Sequence, residues 1–269
     1  KYFHHQTKTM TFSASEIAFV MVDLWNTGFG PQPLSHLGWE AEYNAGKSFC
    51  DRAGAIEMNN ILPMLQACRE KGITVVHAPT RDIAVKHKQW EMLATEKDRH
   101  PSESNKKAPA WPPRDWVKAW REEHTHLFRQ KEWITNYYAH VRPNQDIPDP
   151  LKPIDGDLVI SSGDMLHRIL AERRIRILFY CGFATNMCLI DKPGAIRDME
   201  KRGYLPIVIR DATTGTENAD TVDGLSITRA FIDQIEMIWG YSITTREFLN
   251  AVPNEAIQVP CRYIRMHKP

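Results

Sequence analysis

Residues Ile17–Val22 read IAFVMV, a continuous apolar run bounded by Glu16 and Asp23. The run is too short for a helix and has the pattern of a strand covered on both faces. Asn60 then reads as an N-cap with Pro63 tolerated in the first turn. Ile61, Leu62, Leu65 and Cys68 follow at helical spacing, and Lys71-Gly72 closes the helix. Ile73–His77 (ITVVH) predicts a second strand, which completes a βαβ unit with a right-handed crossover. The alternation resumes at Gly156-Asp157, which leads into LVIS and a helical stretch over Met165–Arg174. Ile177–Cys181 predicts a fourth strand, Pro193–Arg202 a helix and Leu205–Ile209 a fifth strand. Asp220–Asp233 is amphipathic, and Ile235–Ile238 is the candidate sixth strand. Repeated βα units imply an α/β fold with a mostly parallel sheet.

Between the two halves the pattern breaks. Arg81–Pro150 carries Trp90, Trp111, Trp116, Trp120 and Trp133, clustered prolines and many charges. KKAPAWPPRDW is excluded from a central strand or a helix interior, because its prolines remove donors and fix φ. Met92–Arg99 and Val117–Phe128 have helical patterning. The stretch reads as a long insertion into a single domain over 1–269, serving as a surface excursion, a lid over the site, or both.

Composition narrows the class. With 42% apolar and 25% charged residues the chain has the balance of a globular protein that buries a sizeable core. A formal net charge of +1 gives no electrostatic footprint for nucleic acid or an anionic membrane surface. No apolar run approaches the ~18 residues of a membrane span, and KYFHHQTK lacks the apolar centre of a secretory signal. Cys50, Cys68, Cys181, Cys188 and Cys261 are odd in number and widely spaced, which argues against a disulfide framework or a zinc site and for a reducing, cytoplasmic setting.

Ligands of open α/β sheets bind beyond the carboxyl ends of the strands. The residues there are Asp23, His77 with Arg81, Ser161 with Ser162, Gly182–Cys188, and Asp211. Cys188, in GFATNMC after the fourth strand, is the candidate nucleophile; a thiolate needs a base or a positive neighbour. Asp23, at the end of the first strand, lies across the crevice as the candidate proton acceptor. Taken singly, Cys188 also fits a buried inert thiol and Asp23 a turn cap. No GxGxxG follows any predicted strand, which weighs against dinucleotide binding.

The combination resembles the isochorismatase-like cysteine hydrolases, which include nicotinamidases, N-carbamoylsarcosine amidohydrolases and ureidoacrylate amidohydrolases. IAFVMVDLWN, ILPMLQACREKGITVVHAP, ILAERRIRILFYCGFATNMCL, GYLPIVIRDAT and WGYSITTREFL carry the likeness. The resemblance implies a three-layer α/β/α fold around a Rossmann-like, six-stranded parallel sheet with a long insertion, and hydrolysis of an amide or ureido C–N bond of a small molecule through a thioester on Cys188, with Asp23 shuttling the proton. It implies a cis peptide at Phe183-Ala184, an oxyanion hole from the backbone amides of Ala184 and Cys188, no cofactor, and a homo-oligomer, dimer or tetramer.

Two departures stand out. Where the family carries a lysine at the end of its third strand, GDLVISS places Ser162, and the loop after it is short. The segment after the nucleophile, CLIDKPGAIRD, is longer than the family's. Lys152, Lys131 and Arg81 are the candidate replacement cations. The missing lysine leaves open a second class of function, a relative with lost or altered catalysis serving in ligand binding or assembly. Trp25, Phe29 and Ser162 are candidates for the pocket lining, Trp25 and Phe29 fitting the core equally well. Without a DxH pattern after His77, and with His4-His5 and His124/His126 reading as solvated, no metal is expected. Arg197-Asp198 and Arg210-Asp211 read as structural ion pairs or caps.

Overall fold

The computed structural model describes residues 2–26, 47–101, 111–113, 116–124, 138–139 and 142–266. In chain order its strands are β1 (Phe3–Phe12), β2 (Ile17–Val22), β3 (Thr74–Ala78), β4 (Leu158–Val159), β5 (Ile177–Gly182), β6 (Leu205–Ile209), β7 (Tyr241–Ile243) and β8 (Ile257–Met266). The helices before β4 are α1 (Lys47–Ile56), α2 (Leu62–Lys71), α3 (Arg81–Ala84), α4 (Lys88–Leu93), α5 (Glu96–Arg99) and α6 (Trp116–His124). After it come α7 (Gly163–Glu172), α8 (Cys188–Asp191), α9 (Ile196–Lys201), α10 (Ser226–Ile238) and α11 (Thr245–Ala251).

The strands form one mixed sheet in the order β1-β8-β7-β6-β5-β2-β3-β4. The six from β7 to β4 are mutually parallel, and β8 and β1 extend that edge antiparallel. From β2 the chain steps outward through β3 to β4; from β5 it steps the other way through β6 to β7. The order therefore reverses between β2 and β5, and loops leaving these two strands diverge and open a crevice.

Strand periodicity assigns the two faces. Ile17, Phe19 and Met21 point into one buried cluster with Met64 and Leu65 of α2 and Phe248 of α11. Ala18, Val20 and Val22 point into the other, with Met165, Leu166 and Ile169 of α7, Met199 of α9 and Ile235 of α10. Every residue of β2 and β5 is buried, as the absence of alternation in IAFVMV requires.

The structure differs from the sequence pattern at four places. Asn60 is no N-cap: Lys47–Ile56 is already helical and continues through a π-helical turn, Glu57–Ile61, into α2. The helix predicted over Met92–Arg99 is interrupted at Ala94-Thr95, where Thr95 accepts the Asp98 N–H and starts α5 afresh. Gly194, with φ of 85°, breaks the helix predicted from Pro193, which starts only at Ile196. Ile235–Ile238 is the last turn of α10 and the strand is Tyr241–Ile243; Thr228, Ile232 and Ile235 stay buried at helical spacing. The β1/β8 ribbon was not foreseen, because β1 is largely polar and exposed.

Candidate functional site

At the end of β2, Asp23 is fully buried and adopts the left-handed region, φ 44°. Its N–H donates to the Ala78 carbonyl at the end of β3 (3.2 Å). The turn after β5 is pressed against the same strand end. Gly182 has φ of 105°, and a Cβ there would lie 2.0 Å from the Val22 carbonyl oxygen, so only glycine fits. Phe183 N–H donates to that same carbonyl (2.9 Å). The Phe183-Ala184 peptide is cis. The Ala184 carbonyl accepts the N–H groups of Met187 (3.0 Å) and Leu189 (3.2 Å), which closes the turn. Thr185 N–H donates to the Thr214 carbonyl (3.1 Å), and the Asn186 Oδ1 accepts the Thr216 N–H (2.9 Å), tying the turn to the loop after β6.

Cys188 opens α8 and is the one cysteine of the five that is not buried. Burial pushes the Cys68 and Cys181 thiols well up, and that of Cys261 up to about 12. Those three are structural thiols with negligible thiolate near neutral pH.

The Asp23 carboxylate has a cationic partner that the sequence reading missed. Lys192 Nζ donates to Asp23 Oδ1 and to the Ala78 carbonyl (2.8 Å). Lys192 lies one turn beyond Cys188, and its N–H donates to the Cys188 carbonyl (3.2 Å). Its side chain is 13% exposed and that of Asp23 0%. The second carboxylate oxygen, Asp23 Oδ2, is buried with no hydrogen-bond partner among the described residues. The available signal was proximity in sequence: Lys192 ends α8, four positions after the nucleophile.

The replacement cations considered from sequence lie elsewhere. Lys152 pairs with Asp149 (2.7 Å). Arg81 donates to the carbonyls of Asp98 and Arg99 and lies over the Trp90 ring. Lys131 and Phe29 lie outside the described residues. Ser162 caps α7 by accepting the Met165 N–H (3.1 Å), and Ser161 accepts the Trp90 indole N–H (2.9 Å). Trp25 is core: buried among the residues of the first face, its N–H donates to Glu57 (3.2 Å). Burial pushes the Glu57 carboxyl well up, against that hydrogen bond.

His77 is buried and contacts Asp157 (3.1 Å), which also accepts from Arg69 (2.5 Å). Arg197 pairs with Asp191 (2.5 Å), while Asp198 accepts from Gly194 N–H (2.7 Å) and Arg202 (2.9 Å). Arg210 reaches Glu247 (3.4 Å), and Asp211 accepts the Thr245 N–H (2.7 Å). These charges serve the frame. His5, Asp233 and Glu236 are grouped as a metal site would need; Arg262 donates to Glu236 (2.8 Å) and His5 meets Asp233 (3.0 Å). No helix among the described residues is long and apolar enough to cross a membrane.

The family model of the isochorismatase domain matches residues 18–236. No curated protein matches. Among solved structures, a cysteine hydrolase from Pseudomonas syringae pv. phaseolicola 1448A is 17% identical with a TM-score of 0.52, over 91% of this chain and 95% of that one. An N-carbamoylsarcosine amidase from Thermoplasma acidophilum is 15% identical, with a TM-score of 0.36, over 80% of this chain and 92% of that one. A nicotinamidase from Bacillus subtilis is 15% identical, with a TM-score of 0.36, over 78% and 92%.

Proposed function

Because the chain belongs to the isochorismatase domain family, we propose that it is a cysteine hydrolase that cleaves an amide or ureido C–N bond of a small molecule. The carrying observation is what stands at the two strand ends flanking the topological switch point: a buried carboxylate oxygen without a hydrogen-bond partner among the described residues, Asp23 Oδ2, at the end of β2, and the one incompletely buried thiol, Cys188, just after β5.

In this reading Asp23 accepts the Cys188 proton as sulfur attacks the carbonyl carbon. The tetrahedral intermediate collapses with cleavage of the C–N bond, and Asp23 returns the proton to the leaving nitrogen. The resulting thioester is attacked by water, whose proton passes to Asp23. The C–S bond breaks, the acid leaves, and the departing sulfur takes its proton back from Asp23. Negative charge develops on the carbonyl oxygen in both halves. The backbone N–H groups of Ala184 and Cys188 serve as its donors, fixed by the turn rather than recruited during reaction.

The test is a panel of small primary amides and N-carbamoyl compounds, followed by released ammonia. Turnover is expected for at least one compound, abolished in Cys188→Ala and reduced about 10³-fold or more in Asp23→Asn, as befits groups acting as a unit. Turnover that survives Cys188→Ala overturns the assignment. A Cys188 thiol as inert as Cys68, with no turnover, favours instead a family member that only binds its ligand.

A further inference from the structure

We propose that Lys192, which ends α8 just after the nucleophile, is the positioning cation of this site, in place of one from the segment between β4 and α7 where Ser162 stands; the inference rests on Cys188 and Asp23 acting as described above. A buried carboxylate beside a thiol raises the cost of forming the thiolate, because two negative charges then share one low-dielectric site. A cation held against the carboxylate removes that penalty and fixes which oxygen faces the thiol. Lys192 meets both needs. It engages Oδ1 of Asp23 and leaves Oδ2 without a partner among the described residues. Its second hydrogen bond, to Ala78 O (2.8 Å), anchors the ammonium to the end of β3.

The backbone explains how a residue so close to Cys188 reaches the carboxylate. After Lys192 the chain turns sharply at Pro193-Gly194, with Gly194 at φ 85°. The turn is held by Tyr180 O–H donating to the Gly194 carbonyl (2.9 Å) and by Gly194 N–H donating to Asp198 (2.7 Å). A Cβ on Gly194 would lie 3.4 Å from Ile160, 3.5 Å from Leu166 and 3.7 Å from the Gly163 Cα. The extra residues after the nucleophile thus pack against the junction of β4 and α7, beside the shortened loop at Ser162. Among the nearby charges, Asp191 pairs with Arg197, Asp198 with Arg202, and Asp164 with Lys97 and Arg202.

The test measures the rate of Cys188 alkylation by iodoacetamide from pH 5.5 to 9.5 (an experimental range chosen to bracket the ordinary thiol value of about 8.5), with labelled peptides assigned by mass. Lys192→Met is expected to move the midpoint of the profile up by about one unit or more and to slow alkylation at pH 7 roughly tenfold. Lys192→Arg keeps the charge and is expected to stay near the parent. Ser162→Lys in the Lys192→Met background returns a cation from the strand end and moves the midpoint back down. Should Lys192→Met not fold, Asp23→Asn is compared with Asp23→Asn/Lys192→Met, which buries no lone charge; the double variant is expected to have the higher midpoint. A low parent midpoint that is unchanged in Lys192→Met overturns the role of Lys192 and leaves Cys188 standing. A parent midpoint equal to that of an ordinary thiol overturns the reading of Cys188 itself.

Discussion

Gly163→Ala places a methyl group where the structure has no room for it. The added Cβ would lie 1.8 Å from Asp198 Oδ2 and 2.9 Å from Gly194 N. The Asp198 side chain can swing away, but doing so breaks its hydrogen bond from Gly194 N–H (2.7 Å) and disturbs the one from Arg202 (2.9 Å). A hydrogen bond to a charged group contributes about 1.5–3 kcal/mol, and overpacking a tight contact costs about 1–3 kcal/mol. Replacing glycine by alanine returns about 0.4–1 kcal/mol through the unfolded chain. The expected net loss is about 1.5–5.5 kcal/mol, read as a lower urea midpoint with unchanged slope by circular dichroism. In an Asp198→Ala background the hydrogen-bond part is already gone, so Gly163→Ala is expected to cost about 1.5–3 kcal/mol less there. Because Gly194 follows Lys192 by two residues, the same variant is expected to slow Cys188 alkylation. A Gly163→Ala protein within about 0.5 kcal/mol of the parent, or an equal cost in both backgrounds, refutes the claim that the turn after Lys192 is packed against the start of α7.

Further outcomes follow from the same contacts. Ser162→Ala removes the cap of α7 and is expected to cost about 0.5–2 kcal/mol in urea unfolding; a neutral effect would contradict the capping role. Burial pushes the His77 imidazole down, against Asp157, so its folded pKa lies below the ordinary value of about 6.5. The unfolded chain then binds the extra proton first, and stability is expected to decline as pH falls below about 6.5. Burial pushes the Asp157 carboxyl up, yet the hydrogen bonds from His77 and Arg69 outweigh it and hold it below the usual range. Its stabilisation is present above about pH 4 and is lost as pH falls through the depressed value. His77→Gln is expected to flatten the upper part of this decline, and an unchanged slope there would contradict the neutral, buried imidazole. Phe19→Ala removes a ring stacked on Phe248 at 5.7 Å in a fully buried position and is expected to cost about 3–5 kcal/mol; a loss below about 1 kcal/mol would argue against this core face.

Much of the frame was legible because it rests on local patterns. IAFVMV and ILFYC are apolar throughout, and such runs become central parallel strands wherever helices cover both faces. The two strands flanking the switch point were thereby placed, and with them Asp23 and the GFATNMC turn. What escaped depends on partners distant in sequence. β1 is polar and exposed and becomes a strand only by pairing with β8 along its whole length. The π-helical turn at Glu57 keeps an acidic side chain buried beneath Trp25, which no helical periodicity signals. Lys192 was hidden for the same reason. Its contact with Asp23 joins residues 169 positions apart in the chain, which no local pattern signals. The sequence candidates Lys152 and Arg81 are engaged elsewhere, Lys131 lies outside the described residues, and the lysine in contact with Asp23 is Lys192.

The central claim is that Cys188 is an activated thiol, and its reactivity tests this most directly. The native protein is treated with limiting iodoacetamide at pH 7, and the label on each of the five cysteines is quantified by peptide mass. The account predicts that Cys188 takes nearly all of the label, faster than a simple free thiol at the same pH, while Cys68, Cys181 and Cys261 stay unmodified until the protein is unfolded. Labelling of Cys188 no faster than of those buried thiols would contradict it.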